Sequence, residues 1–133
     1  VAALIDTRLF IAAERGLLDL AALLETHPDE SFAISVITLS ELWHGVHRAD
    51  TTTRRAAREG FVRSVADGFP VVPFDAAAGL VHARIWAELA SRGALIGAHD
   101  LIVAATALAT ASAVVTRNFK HFRRVAGLQV IPA

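Results

Sequence analysis

Short, continuous apolar runs alternate with segments of helical periodicity along this sequence, and that alternation is the strongest limit on how the chain can fold. The runs are Ala2 to Ile5, Phe32 to Ile37, Val71 to Phe74, Ala113 to Val115 and Leu128 to Ile131. A strand buried on both faces reads as such an unbroken run, whereas a half-buried one alternates with period two. Between the runs, Leu9 to Ala13 and Leu17 to Leu24 are predicted helices, punctuated by Gly16 and ended by His27-Pro28. From Thr38 onward Leu39, Leu42, Trp43 and Val46 share a helical face, and Thr51 to Asp67 is a basic amphipathic segment. Asp75 is placed to cap a helix over Ala76 to Ser91 that Gly93 ends; Leu101 to Ala109 and Asn118 to Arg124 complete the set. Strand and helix in alternation predict an α/β fold of three layers, with a mostly parallel central sheet flanked by helices. At 133 residues and 54 % apolar content the chain suits a single domain, 1–133, without repeat or linker.

Charge and composition narrow the partners. The formal net charge is zero, so any polyanion must be held by local clusters rather than by a global field. With no cysteine, disulfides and thiolate metal sites are excluded, which fits a reducing compartment. The longest apolar run, the fifteen residues from Leu101 to Val115, falls short of the roughly 20 that a membrane helix needs. Val1 to Ile5 lacks a basic lead and runs straight into Asp6, so no signal peptide is expected. A soluble, cytoplasmic protein without a membrane partner is the expectation.

Functional residues of a parallel sheet collect beyond the carboxyl ends of its strands. Asp6 ends the first strand, Glu41 lies one turn into the helix after the second, Asp100 opens an apolar helix, and Asn118 follows the fourth strand. Each has a structural reading beside a functional one. Asp6 and Asp100 suit helix caps or first-turn acids, and Thr38-Leu39-Ser40-Glu41 matches a capping box. Carboxylates gathered on one rim, however, repel unless a cation neutralises them, and an all-oxygen set suits Mg²⁺ or Mn²⁺. Such an ion acidifies a bound water and holds a phosphate for in-line attack.

The residues carry a resemblance as well. Leu4-Ile5-Asp6-Thr7, the helix bearing Ser40-Glu41-Leu42, and above all the block from Ile96-Gly97-Ala98-His99-Asp100 to Ala107 resemble the PIN-domain toxins of the VapC type. Val114-Val115-Thr116-Arg117-Asn118, Phe122 and Gly127-Leu128 are similar to that family too, so the likeness spans nearly the whole chain. It implies a PIN-like fold and a Mg²⁺-dependent endoribonuclease cleaving structured RNA of the tRNA or rRNA class, with Mn²⁺ as an alternative ion. It assigns Asp6, Glu41 and Asp100 as acidic metal ligands and catalytic residues. Thr7, Thr116, Asn118 and His121 become polar neighbours of the site or its fourth position. It also implies a cognate VapB-type antitoxin and a homodimer, for which Leu17 to Leu24 and Ala76 to Ala90 offer apolar surfaces.

Two departures stand out. The neutral Asn118 sits where relatives often carry a fourth acid, and Arg8 where a small polar residue is usual; both keep open a catalytically quiet PIN module that binds RNA or a partner without cutting. Arg8 has three readings: pairing with Asp6, contact with phosphate, or a surface position pointing away. Arg117, Lys120, Arg123 and Arg124 surround the Asn118 corner and, with Arg8, are the candidate RNA contacts, whereas Arg54, Arg55, Arg58 and Arg63 fit a solvated helix face equally well. Glu41-Leu42-Trp43-His44 is formally a Glu-x-x-His motif, but a di-iron site needs two copies on bundle helices. His44, His47 and His82 read as exposed helix residues, and His99 as a rim residue. No Walker loop, GxGxxG or HExxH is present, and a receiver-like signalling domain would lack its acid pair and lysine.

Overall fold

The computed structural model describes residues 2–133. Five strands, β1 (Ala2–Ile5), β2 (Ser31–Ser35), β3 (Val71–Val72), β4 (Ala113–Thr116) and β5 (Val130–Pro132), form one sheet in the order β3-β2-β1-β4-β5. Every pairing is parallel. The helices are α1 (Thr7–Glu14), α2 (Leu20–Glu25), α3 (Val36–His47), α4 (Thr52–Gly68), α5 (Ala76–Ser91), α6 (Ala98–Ala109) and α7 (Phe119–Phe122). The expected three-layer α/β architecture is therefore present.

Side chains of successive strand residues point to opposite faces, so the central strands feed two cores. Leu4 and Val114 join Ile85, Leu89, Leu101 and Phe122 on one side, the side covered by α5, α6 and α7. Ala3, Ile5, Ala113 and Val115 join Leu9, Phe10, Leu42 and Val62 on the other, under α1, α3 and α4. Being buried on both faces is what makes β1 and β4 unbroken apolar runs.

Several boundaries differ from the sequence expectation, each for a local reason. The second strand stops at Ser35 rather than Ile37, because the Ser35 hydroxyl accepts the Ile37 N–H at 3.1 Å and starts α3 at Val36. That shift overturns the Thr38–Glu41 capping box: Thr38 lies inside α3, and Glu41 is in the second turn, out of reach of the cap amide. The second helix begins at Leu20, not Leu17. Gly16 turns the chain at φ 73°, and the Asp19 carboxylate caps α2 through Ala22 N–H at 3.1 Å. Pro73, with no N–H to donate, cuts β3 to two residues. The turn at Gly127, φ 80°, delays β5 to Val130. Asp75 does cap α5, accepting from Ala78 N–H at 3.0 Å, and Gly93 adopts φ 62° beyond its end.

The strand order explains where a site forms. The chain builds outward from β1 through β2 to β3, then returns to the other side of β1 to lay down β4. Helices leaving β1 and β4 diverge at that reversal and open a crevice at the carboxyl ends of the two strands.

Candidate active site

Asp6 immediately follows β1. Its N–H donates to the Val115 carbonyl at 3.0 Å, adding one step to the β1–β4 pairing and setting Asp6 beside Thr116. The Thr116 hydroxyl donates to Asp6 Oδ2 at 2.7 Å, and both residues are buried. Asp6 holds the N-cap position of α1, yet its carboxylate makes no capping hydrogen bond. Asp100 is the third residue of α6, whose N-cap is Gly97, so it does not cap that helix either. Both carboxylates turn into the crevice instead.

Arg8 joins them. Its Nη1 donates to Asp6 Oδ2 at 2.9 Å and to Asp100 Oδ1 at 3.0 Å, while Nη2 donates to Asp100 Oδ2 at 3.0 Å. Asn118 Nδ2 donates to the same Asp100 Oδ2 at 3.2 Å and lies 3.1 Å from His121 Nδ1. Of Arg8's three sequence readings, pairing is the one realised, and it extends to a second acid 92 residues away. The guanidinium side chain is 47 % exposed, against 2 % for Asp6 and 10 % for Asp100.

The electrostatics are unbalanced. Burial pushes the Asp6 carboxyl above its ordinary value of 3.8, although the Thr116 hydroxyl and Arg8 both pull the other way. Arg8, bonded to Asp100 and flanked by Asp6, is held still more firmly in its charged form. One positive charge faces two buried carboxylates, and Asp6, the deeper of them, still ionises at a cost.

Glu41 is set apart. Its Oε1 accepts the Thr7 hydroxyl at 2.8 Å, the same hydroxyl lies 3.0 Å from Thr38 Oγ1, and Oε2 lies 3.3 Å from His99 Nδ1. His99 is thus a rim residue, as its sequence position implied. Among the described residues, no three carboxylate or imidazole groups are gathered closely enough to hold a metal as they stand. Of the expected Asp6–Glu41–Asp100 cluster, Arg8 joins Asp6 and Asp100 directly, whereas Glu41 contacts their chain neighbours Thr7 and His99.

A groove of about 580 Å³ runs from Thr7, Glu41 and His99 between α1, α3 and α4 towards Arg15, Arg48 and Arg58. Asp6 and Asp100 do not line it. The arginine end continues into a second hollow with Arg54 and Asp50. Arg15 and Arg48 come from the ends of α1 and α3, and linear sequence carries no signal that they meet. Arg58, one of four arginines whose helix reads from sequence equally well as a basic patch or a solvated face, holds the Gly45 carbonyl at 3.0 Å on the groove wall. Arg54 and Arg63 do behave as surface residues, pairing with Asp50 and Glu59 one turn away. Of the residues around Asn118, Arg117 and Lys120 are exposed, Arg123 stacks over Phe119, and Arg124 is occupied with the Leu95 carbonyl at 3.1 Å.

Comparison with known proteins fits this geometry. Residues 3–128 match the family model described as PIN domain. The protein named "Ribonuclease VapC1" in Rickettsia felis is 34 % identical over 128 residues, covering 96 % of this chain and 93 % of its own length. "Ribonuclease VapC5" of Mycobacterium tuberculosis is 40 % identical over 118 residues, covering 88 % and 83 %. Among solved structures, one described as a member of the VapBC family of toxin-antitoxin systems, VapBC-5 from Mycobacterium tuberculosis, superposes with a TM-score of 0.81 at 36 % identity over 99 % of this chain and 98 % of that one. The chain belongs to the PIN-domain family, in its VapC branch. Family and fold are those that the Asp6 and Asp100 blocks implied.

Proposed function

We propose that this chain, acting as one PIN-like unit over residues 1–133, is a metal-dependent endoribonuclease and the toxin of a toxin–antitoxin pair. The observation that carries the reading is the convergence of Asp6 and Asp100 on one point at the reversal of the sheet, braced by Thr116 and Asn118. The carboxylates there offer hard oxygens, and two of them share the single positive charge of Arg8, so the set suits Mg²⁺, with Mn²⁺ as the alternative. Bound there, the ion would acidify a water and offset charge on the scissile phosphate.

The chain's own residues do the rest. Thr116 fixes the orientation of Asp6 by donating to Oδ2, and Asn118, steadied by His121, does the same for Asp100. Thr7 and His99 hold Glu41 at the mouth of the groove, where its carboxylate can orient a water or take its proton. RNA would run along the groove, its phosphates meeting Arg15, Arg48 and Arg58 on one side and Arg117 and Lys120 on the other. Structured RNA of the tRNA or rRNA class is the proposed substrate. Contacts of that kind supply affinity and salt dependence rather than sequence choice. The VapBC naming of the solved relative supports a VapB-type antitoxin as partner, with homodimerisation and a cytoplasmic setting as further parts of the reading. No helix among the described residues is long and apolar enough to cross a membrane.

Purified protein should cut structured RNA internally in Mg²⁺ or Mn²⁺ and stop when EDTA removes the ion. Intact RNA after incubation with either metal would remove the nuclease reading. The hold of Arg8 on both carboxylates favours a second reading, a PIN module that binds RNA without cutting it. Calorimetric titration separates the two, since a quiet module takes up neither ion at millimolar concentration.

Asn118→Asp tests the fourth position. The change deletes the donor to Asp100 and adds a third carboxylate. Metal-free protein should lose at least about 1.5 kcal/mol of stability, the lower worth of a hydrogen bond to a charged group, with repulsion from Asp100 adding to the loss, while Mn²⁺ should bind more tightly. Unchanged Mn²⁺ affinity by calorimetry would place Asn118 outside the metal's reach.

A further inference from the structure

Arg8 puts a cation at the point that both metal-ligand candidates address. One nitrogen, Nη1, is shared between Asp6 Oδ2 and Asp100 Oδ1, and Nη2 closes a bidentate fork on Asp100. A divalent ion binding the same oxygens must approach to about 2.0–2.1 Å if it is Mg²⁺. Metal and guanidinium then claim the same lone pairs and the same space, so they exclude one another. We propose that Arg8 is a built-in competitor of the metal: it offsets part of the charge of Asp6 and Asp100 in the metal-free protein and must swing out before the ion can bind. The inference rests on the metal reading given above and adds to it what controls occupancy.

Three further features support displacement. Arg8 is the second residue of α1, so its backbone is fixed, but its side chain is 47 % exposed and bonds nothing except these two carboxylates. It can leave by side-chain rotation alone. Charge favours the exchange as well, because one guanidinium leaves the pair of carboxylates with a net negative charge that a dication cancels. The surface arginines Arg54, Arg63 and Arg92 pair one helical turn away, whereas Arg8 ties the start of α1 to the start of α6. That bridge lets the protein keep two carboxylates side by side without metal. Once displaced, the guanidinium stays tethered beside the crevice as a free cation at the entry of a polyanionic substrate.

The competition has a direct readout that does not involve cleavage. Titrating metal-free protein with Mn²⁺ by calorimetry, Arg8→Ala should bind at least tenfold more tightly than wild type, about 1.4 kcal/mol. Arg8→Lys, which keeps a charge but loses the planar fork, should fall between them. Metal-free Arg8→Ala should also melt below wild type and gain more in melting temperature from Mn²⁺. If Arg8→Ala does not fold without metal, the comparison of Arg8→Lys with wild type decides. In wild type, Mg²⁺ should shift the Arg8 side-chain resonances towards those of a free arginine. Equal or weaker Mn²⁺ affinity in the variants, with wild type binding normally, would overturn the competition alone. Absence of binding in wild type and variants alike would overturn it together with the metal reading.

Discussion

Replacing Asp100 by Asn is expected to cut RNA cleavage in Mg²⁺ by at least about 100-fold while the protein stays folded. Losing even an outer partner of a metal ligand commonly costs on the order of 10–100-fold in affinity or activity, and a ligand itself should cost no less. Asn keeps the shape of Asp and one oxygen, so it can still accept from Arg8 or from Asn118, which now bond Oδ1 and Oδ2. Arg8 also keeps its bond to Asp6 at 2.9 Å. Because Arg8 already offsets one of the two charges, relief of carboxylate repulsion is smaller than two facing acids alone would give. The melting temperature without metal should accordingly move little. Cleavage and Mn²⁺ binding should fall together, as they should for Asp6→Asn. Near-wild-type cleavage by Asp100→Asn would show that the reaction does not pass through this pair.

Legibility in the sequence followed the range over which each feature is determined. Buried parallel strands are set by local composition, so Ala2–Ile5 was readable from its apolar run alone, and β4 was readable as Ala113 to Val115, one residue short of its end at Thr116. Strand ends were less so. Val36 and Ile37 are β-branched and extend the pattern of β2, but a side-chain bond from Ser35 commits them to α3. The same bond removes the capping box that had offered Glu41 a structural explanation. Asp6, Glu41, Asp100 and Asn118 were read as one rim because topology places strand ends together; Asp6, Asp100 and Asn118 do meet there through Arg8 and direct bonds, whereas Glu41 bonds Thr7. The pairing of Arg8 with Asp100 spans 92 residues, and only the assembled crevice chooses among its three readings. The meeting of Arg58 with Arg15 and Arg48 was hidden for the same reason. Arg15, Arg48 and Arg58 sit on different elements, and each taken alone is an ordinary surface residue.

Glu41→Gln is expected to fold with near-wild-type stability and to cleave RNA at least about 100-fold more slowly, the lower end of what a positioned acid–base group contributes. Stability should hold because the amide oxygen of Gln still accepts the Thr7 hydroxyl, now at 2.8 Å. The 3.3 Å contact with His99 then faces an amide instead of a carboxylate, but His99 is 57 % exposed and surface contacts of that kind are worth about 0–1 kcal/mol. Activity should not hold, since a neutral amide can neither take a proton from water nor carry charge towards a metal. Reach matters as much as charge: a group that orients water must lie within roughly 2.6–3.2 Å of it. Glu41→Asp keeps the charge but withdraws it by one methylene from Thr7, His99 and the groove, so it too should be slow. The pair of variants separates the two roles open to Glu41. Failure of both assigns a positioned charge at the groove mouth, whereas full activity in Glu41→Gln at saturating Mg²⁺ would reduce Glu41 to an acceptor that anchors Thr7 and leave Asp6 and Asp100 as the reacting pair.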